Sequence, residues 1–465
     1  MAKAKKKEAL SLEEKLEQAL VLVDEQPYKV PENWCWTRIR EICEFERGIT
    51  FPASAKEHEL TEENIACLRT ANIQEELEVE DLLYVNKSYM KDNEAKLVRK
   101  DDIIMSSANS RELVGKASYV YDVNEPMTFG GFVLNIRAKK ILSKYLFYML
   151  RYEFLSGRFM GESTQTTNIA NINTTTLGNY CFPLPPLAEQ QRIVEQIENL
   201  FAKLDEAKEK AQCVVDNYDT NRAAVLWKAF NGELTENWRR ENDISNTWMT
   251  KTIGEVFSVF SGKGFKEKEY SVEGVKLLRI SNVTYDTLVW DDVKYLPEKY
   301  LAEVPELVLK EDDIVMALNR PITNGKLKIS VVDTKEPYIL YQRVGCLRQK
   351  ETNNIEFLRY VLQTRDFLGQ VENNLQGSDQ PYINIPPLKS LTIRICDIQE
   401  QNKVVSILET MLPSLLQAKE AAETTLDQID LMKKSILAKA FRGELGTNIA
   451  DEESSIELLK SIIEA

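Results

Sequence analysis

Lys228-Ala229-Phe230-Asn231-Gly232-Glu233-Leu234 returns as Lys439-Ala440-Phe441-Arg442-Gly443-Glu444-Leu445, an offset of 211 residues. The same offset carries Ala207-Lys208-Glu209 onto Ala418-Lys419-Glu420 and Glu189-Gln190 onto Glu400-Gln401. Upstream, with small gaps, Trp34, Glu41 and Gly48 correspond to Trp248, Glu255 and Gly262, and Leu68-Arg69 with Asn72 to Leu278-Arg279 with Asn282. Asp101-Asp102-Ile103-Ile104-Met105 matches Asp312-Asp313-Ile314-Val315-Met316, and Gly115-Lys116 matches Gly325-Lys326. One shift shared over such a distance marks an internal duplication.

Each repeat has two parts. The first, about 150 residues, mixes short β-rich runs such as VRKDDIIMSS and LKISVV with polar loops. The second reads as a single helix of about 43 residues. From Ile193, alternating steps of four and three meet Ile197, Leu200, Leu204, Ala207, Ala211, Val214, Tyr218, Asn221 and Val225. From Val404 the same steps meet Leu408, Met411, Leu415, Ala418, Ala422, Thr425, Ile429, Met432 and Ile436. Both stripes are apolar in nine places of ten, the seam of a coiled coil. Each helix would be roughly 65 Å long. Pro413 is expected to kink the second near its start. Two equal repeats related by a two-fold axis would pair their helices antiparallel, with one globular segment at each end. Parallel helices that merely prop the segments together are the alternative.

Composition bounds the function. The 465 residues are 43% hydrophobic and 28% charged, as in a soluble globular protein of several domains. No run of eighteen apolar residues occurs, so no membrane span is expected. The basic N-terminus runs into a Glu-rich helical pattern and lacks the apolar core of a signal peptide. The seven cysteines are scattered without a CxxC pair and read as reduced thiols of a cytoplasmic protein. With His58 the single histidine, a zinc site or a histidine-based triad has almost nothing to work with. The net charge is −14, but residues 31–186 sum to −4 and residues 246–396 to zero. The globular segments are near neutral, and the acidity sits in helices and tails. Such segments would bind DNA weakly alone and lean on a partner for phosphate contacts.

These features resemble the specificity subunit of type I restriction-modification systems, over nearly the whole chain. The strongest segments are Pro183-Leu184-Pro185-Pro186-Leu187-Ala188-Glu189-Gln190-Gln191-Arg192-Ile193-Val194 and the two Ala-Phe-x-Gly-Glu-Leu ends. The second repeat departs from the pattern, since Ile393-Arg394-Ile395-Cys396-Asp397-Ile398-Gln399-Glu400-Gln401 lacks the double proline. The resemblance implies an α+β fold with two target-recognition domains, each followed by a long conserved helix, the helices pairing as an antiparallel coiled coil. The expected boundaries are an N-terminal helical arm at 1–30, recognition domains at 31–186 and 246–397, helices at 187–235 and 398–446, and an acidic tail at 447–465. It implies that each domain reads one half of a split double-stranded DNA sequence and that the helices set the spacer. It also implies partners: two modification subunits that methylate adenine with S-adenosylmethionine, and restriction subunits that use ATP and Mg. This chain itself would be non-catalytic and carry no cofactor. A half-site spacing of about one helical turn, roughly 34 Å, calls for a stiff connector.

Several catalytic patterns are decoys. Phe260-Ser261-Gly262-Lys263-Gly264 fits a weak FxGxG cofactor pattern, but charged, loop-like residues follow it and Gly48 stands alone in the other repeat. Pro185-Pro186 and Pro386-Pro387 lack the preceding Asn and the following aromatic of an adenine-methyltransferase loop, and read better as elbows into the helices. There is no phosphate-binding lysine loop.

Base edges are read by Arg, Lys, Asn, Gln, Ser and Thr. The candidate DNA-binding residues are polar loops at matched positions. One pair of loops holds Ser106, Ser107, Asn109, Ser110, Arg111 and Lys116, against Asn319, Arg320, Thr323, Asn324 and Lys326. A second holds Gln165, Thr166, Thr167 and Asn168, against Gln376, Ser378 and Gln380. A third holds Arg47 and Thr50, against Lys263 and Lys266. A coiled-coil scaffold with two protein-binding heads and no DNA contact is the competing reading. A fused methyltransferase or nuclease lacks its motifs.

Overall fold

The computed structural model describes residues 11–165 and 169–464, with the backbone alone at 162, 164 and 165. It mixes helix and sheet, and two helices dominate, Leu187–Phe230 and Ile398–Phe441, each of 44 residues. The chain divides into two compact units. One holds the chain up to Lys210 together with Thr425 onward; the other is Ala211–Thr424. The boundary falls inside both long helices, so each unit contains the start of one and the end of the other.

In the first unit an antiparallel sheet runs in the order Cys43–Arg47, Val133–Ala138, Ile103–Ser106, Ala117–Tyr119. A three-stranded sheet, Leu83–Asn86, Asn64–Leu68, Met127–Phe129, packs beside it. The second unit repeats this with Phe257–Ser261, Val344–Gln349, Ile314–Ala317, Ile329–Val331 and Tyr285–Asp286, next to Tyr295–Leu296, Val275–Leu278 and Tyr338–Leu340. The duplicated Asp-Asp-Ile motif is the entry to each central strand. Asp101 and Asp312 take left-handed φ of 69° and 68°. Asp102 and Asp313 turn inward to receive the Arg137 and Arg348 guanidiniums through two hydrogen bonds each, at 2.6–2.8 Å. A buried carboxylate is tolerated because the fork geometry pairs both oxygens.

The repeated Lys-Ala-Phe-x-Gly-Glu-Leu phrase is a helix stop. Gly232 and Gly443 adopt φ of 77° and 73°. Glu233 N reaches Lys228 O at 3.0 Å and Glu444 N reaches Lys439 O at 2.8 Å, the six-to-one bond of a Schellman cap. A Cβ on Gly232 would stand 2.7 Å from the Trp248 indole nitrogen, and one on Gly443 would stand 2.5 Å from the Pro31 ring. Phe441 and Phe230 plug the cores of their respective units. In the first unit Leu437 and Phe441, at the end of one long helix, share a core with Ile193 and Ile197 at the start of the other. In the second unit Leu226 and Phe230 share a core with Val404 and Leu408 in the same way.

At those starts Gln190 and Gln401 tie the helix to its domain. The Gln190 side-chain oxygen accepts from Leu142 N and its amide donates to Pro185 O; Gln401 does the same with Asn354 N and Cys396 O. Pro185-Pro186 do precede the first long helix directly. Pro386-Pro387 do not form an elbow: they open a short helix, Ile385–Ser390, and the strand Thr392–Ile395 separates them from the second long helix. Helix 398–441 continues through Pro413 without interruption; that residue faces solvent, where water can satisfy the freed carbonyl.

The covered stripe of that helix differs from the apolar one. Val404, Leu408, Leu415, Ala422, Ile429 and Ile436 are covered as expected, but Met411, Ala418, Thr425 and Met432 are exposed while Leu412 and Lys433 are covered. The Lys433 ammonium reaches Asp205 at 2.5 Å and lies 5.2 Å from the centre of the Phe201 ring. An ion pair and a ring face can hold a lysine inward where a count of apolar residues does not look for one.

Both terminal pieces pack on the first unit. The stretch 447–465 is more than an acidic tail: Ser455–Ile463 is a helix whose Leu459 and Ile462 join the first core. The arm (helix Leu12–Ala19 and the turn that follows) adds to the strand Cys35–Arg38: Val21 N donates to Trp36 O at 3.0 Å and Thr37 Oγ1 donates to Ala19 O at 2.9 Å. Tyr28 closes on Trp36 edge to face. Cys35, Trp36 and Thr37 are therefore buried, whereas Met249 and Thr250 on the matched strand of the second unit are exposed.

Candidate nucleic-acid interface

In the first unit Ala108–Asn109 pair antiparallel with Ala170–Asn171, which pair in turn with Thr164–Gln165. The loop around 106–111, the stretch 164–165 and the stretch 170–171 are thereby drawn into one small sheet. Ser110 and Arg111 are exposed, and Ser107, Asn109 and Lys116 are half-buried. Ser106 is a correction: at 1% exposure its side chain faces inward, its hydroxyl accepting from Asn109 Nδ2 at 3.1 Å. Lys116 points its ammonium at Gln74 Oε1, 2.5 Å away. Arg47 ends its strand exposed, donating to Thr174 Oγ1 at 3.4 Å, and Thr50 is exposed just beyond. Thr166, Thr167 and Asn168 lie outside the described residues, and for Gln165 only the backbone is described.

The second unit draws its loops together in the same way. Asn319 and Gln376 both bridge to Tyr382, and Arg320 N donates to Pro381 O at 2.6 Å. The Arg320 guanidinium donates to Asp379 O at 3.3 Å, so loop 319–326 is laced to loop 376–382. Ile322–Thr323 and Lys326–Leu327 form a hairpin closed by Asn324 and Gly325 at φ 52° and 69°, a two-residue turn for which Asn-Gly is the preferred sequence. Arg320, Asn324, Lys326, Gln376, Ser378 and Gln380 are all exposed; Asn319 and Thr323 are half-buried. Lys263 and Lys266 are exposed, with the Lys263 ammonium over the Phe265 ring. Lys266 N donates to Glu269 Oε2 at 2.6 Å, and that bond, with one from the Tyr300 hydroxyl, holds the Glu269 carboxyl below its usual range.

One element was not foreseen. The turn Gly130-Gly131-Phe132 joins the loops of the first unit. Ile49 N donates to Phe129 O at 2.8 Å on one side, while Ser107 N and Ala108 N donate to Phe132 O at 3.0 and 3.3 Å on the other. Tyr341-Gln342-Arg343 does the same in the second unit: Gln342 N donates to Lys263 O at 3.0 Å, and Leu318 N donates to Arg343 O at 2.9 Å. The two turns sit at the repeat offset of 211 but share no residue, so a search for matching letters passes over them.

The glycine of the FxGxG pattern has a backbone reason. A Cβ on Gly262 would lie 2.2 Å from Leu340 O; one on its counterpart Gly48 would lie 2.0 Å from Gly130 O. Both glycines let the loop pass against this turn. Among the described residues, no group of His, Cys, Asp and Glu is assembled to hold a metal ion. What each unit presents is a cluster of hydroxyl, amide and cationic donors on short, mutually bonded loops. Such a cluster suits recognition of base edges and phosphates.

The sequence model of the type I restriction modification DNA specificity domain matches residues 31–213 and again 245–424. The MjaVIII type I restriction enzyme specificity subunit of Methanocaldococcus jannaschii is 30% identical, over 90% of this chain and 94% of its own length. The EcoKI specificity subunit of Escherichia coli is 25% identical, over 93% and 96% respectively. The crystal structure of the HsdS subunit from Thermoanaerobacter tengcongensis shares the fold with a TM-score of 0.61 at 18% identity, covering 90% of this chain and 99% of that one. No helix among the described residues is long and apolar enough to cross a membrane. With two copies of the specificity domain in tandem, the chain belongs to the type I restriction-modification DNA specificity family.

Proposed function

We propose that the two globular segments each read one half of a split duplex sequence, and that the long helices set the distance between the halves by pairing as an antiparallel coiled coil. The observation that carries the first part is the pair of loop clusters, built at matched positions from different side chains. Matched scaffolds with unlike readers suit an asymmetric bipartite target. The second part is supported within each unit, where the end of one long helix shares a core with the start of the other. The chain supplies the address. Adenine methylation from S-adenosylmethionine would fall to two modification subunits bound to the helical region, and ATP- and Mg-dependent cleavage to restriction subunits, all in the cytoplasm. The near-neutral reading segments fit a division in which the partners bring much of the phosphate contact.

The test is methylation by the assembled complex on duplexes carrying every single-base change in each half. Asn319→Ala with Arg320→Ala should relax preference in one half only, by about 1–3 kcal/mol per lost base contact. Asn109→Ala with Arg111→Ala should relax the other half alone. Equal loss in both halves, with unchanged melting temperature, would mean that these loops do not read bases.

A further inference from the structure

Phe132 and Arg343 occupy the same position of the two repeats, in the turn that is bonded to two of the candidate loop regions in each unit. Phe132 is 62% exposed, an unusual posture for a phenylalanine beside a buried strand. Its own carbonyl is held by Ser107 N and Ala108 N, so the backbone that aims the ring outward is pinned to the reading loop. Arg343 is exposed with φ of 67°. A left-handed arginine is a strained conformation of the kind that persists where function requires it. Leu318 N holds its carbonyl, one residue before Asn319. Among the described residues its guanidinium has no hydrogen bond or ion pair, whereas Arg279, Arg348 and Arg359 of the same unit are each paired to a carboxylate. An uncommitted fork of donors and an uncovered ring therefore stand at one matched position, surrounded by polar loops.

Resting on the two-reader function above, we infer that this turn is a further reading element in each segment, with Arg343 specifying a guanine in one half-site and Phe132 a thymine in the other. The chemistry differs because the side chains do. A guanidinium can donate two parallel hydrogen bonds to guanine O6 and N7 in the major groove. A phenyl ring has no donor, and the one apolar feature a base pair offers in that groove is the thymine C5-methyl. Phe132 therefore discriminates through contact with that methyl, and the two segments gain unlike preferences from one scaffold position.

The experiment uses the full chain assembled with its methyltransferase subunits and reads methylation rate across all single-base changes in both halves. Arg343→Ala should lose preference at one G·C pair of one half, by about 10- to 100-fold, and leave every other position unchanged. Arg343→Lys should keep part of it, since lysine also donates to guanine. Phe132→Ala should relax one T·A pair of the opposite half. Replacing that thymine by deoxyuridine should slow the wild type and leave Phe132→Ala unaffected, because the methyl and the ring are two sides of one contact. Both side chains are exposed, so melting temperatures should stay at the wild-type value. If stable variants keep every base preference, or lose rate uniformly on all sequences as phosphate contacts would, the assignment of this turn is wrong. The Asn319/Arg320 and Asn109/Arg111 variants separate that result from failure of the two-reader model, which would show as loss in both halves.

Discussion

Trp34 donates its indole N–H to Glu189 Oε2 at 2.7 Å. The repeat preserves the bond: Trp248 donates to Glu400 Oε1, also at 2.7 Å. Each tryptophan opens a globular segment, and each glutamate sits in the first turn of a long helix with its side chain fully buried. A third stretch of chain arrives at each carboxylate from beyond the end of the other long helix. Asn448 Nδ2 donates to Glu189 Oε2 at 2.8 Å, and Thr235 Oγ1 donates to Glu400 Oε1 at 2.5 Å, with Arg239 paired alongside. One carboxylate thus fastens reader, helix start and helix end, and the orientation of each reader on its helix depends on it.

Removing that carboxylate should loosen a whole junction. Glu400→Ala leaves Arg239 at a half-buried site without its partner and strands the Trp248 donor, a loss of about 3–5 kcal/mol by analogy with broken buried pairs. Glu189→Ala, which strands Trp34 and Asn448 and a longer bond from the Thr447 hydroxyl but no paired cation, should cost less, roughly 2–4 kcal/mol for the orphaned donors. Urea unfolding of the two variants checks the order; equal costs near zero would show that the junction is held by its apolar core alone.

The helix-stop glycines should tolerate no side chain. Gly443→Ala puts a left-handed alanine against the Pro31 ring, and Gly232→Ala puts one against the Trp248 indole that serves Glu400. The backbone term alone is about 1–2 kcal/mol, and the clash adds to it. Thermal melts should fall in both. In Gly232→Ala the Trp248 environment should also change, read as a shift in tryptophan fluorescence that Gly443→Ala at its own site does not cause at Trp248. A melting temperature at the wild-type value would contradict the packing described.

The arm should protect Cys35. Burial pushes this thiol up to about 11, so at pH 8 it carries almost no thiolate. Cys213 is exposed and should react first with a thiol reagent. Deleting residues 1–30 removes the Ala19, Val21 and Tyr28 contacts from the strand Cys35–Arg38. In that variant Cys35 should label at pH 8, while Cys346 and Cys396 of the other unit stay slow. Peptide mapping of the labelled sites decides it; a Cys35 that remains inert would mean that the helix Ser455–Ile463 suffices as cover.

If the helices are a ruler, their length should set the spacer. Inserting one heptad at matched points, in 207–214 and in 418–425, should shift the preferred spacer of methylated sites and leave both half-site sequences as they were. Inserting seven residues lengthens a helix by about 10 Å, some three base pairs of duplex. A change in half-site identity with an unchanged spacer would sink the ruler assignment.

Much of this architecture was legible in the letters. The duplication, the two helix spans and the Asp-Asp-Ile strand entries follow from an exact offset and from local periodicity, and local periodicity reports which face of an element is covered. It does not report by what. The tail helix Ser455–Ile463 depends on a core more than two hundred residues away, the arm on side-chain and backbone bonds to the strand Cys35–Arg38 that follow no hydropathy period, and Lys433 in the covered stripe on an ion pair that hydropathy ignores. Candidate loops could be named because polar residues at matched positions stand out. That they form one cluster in each unit, and that Phe132 and Arg343 sit at its centre, was settled only by backbone hydrogen bonds between strands distant in the chain. Sequence by itself determined two readers and two long helices; tertiary structure decided which loops meet, because strand pairing is a non-local choice that no single stretch of chain encodes.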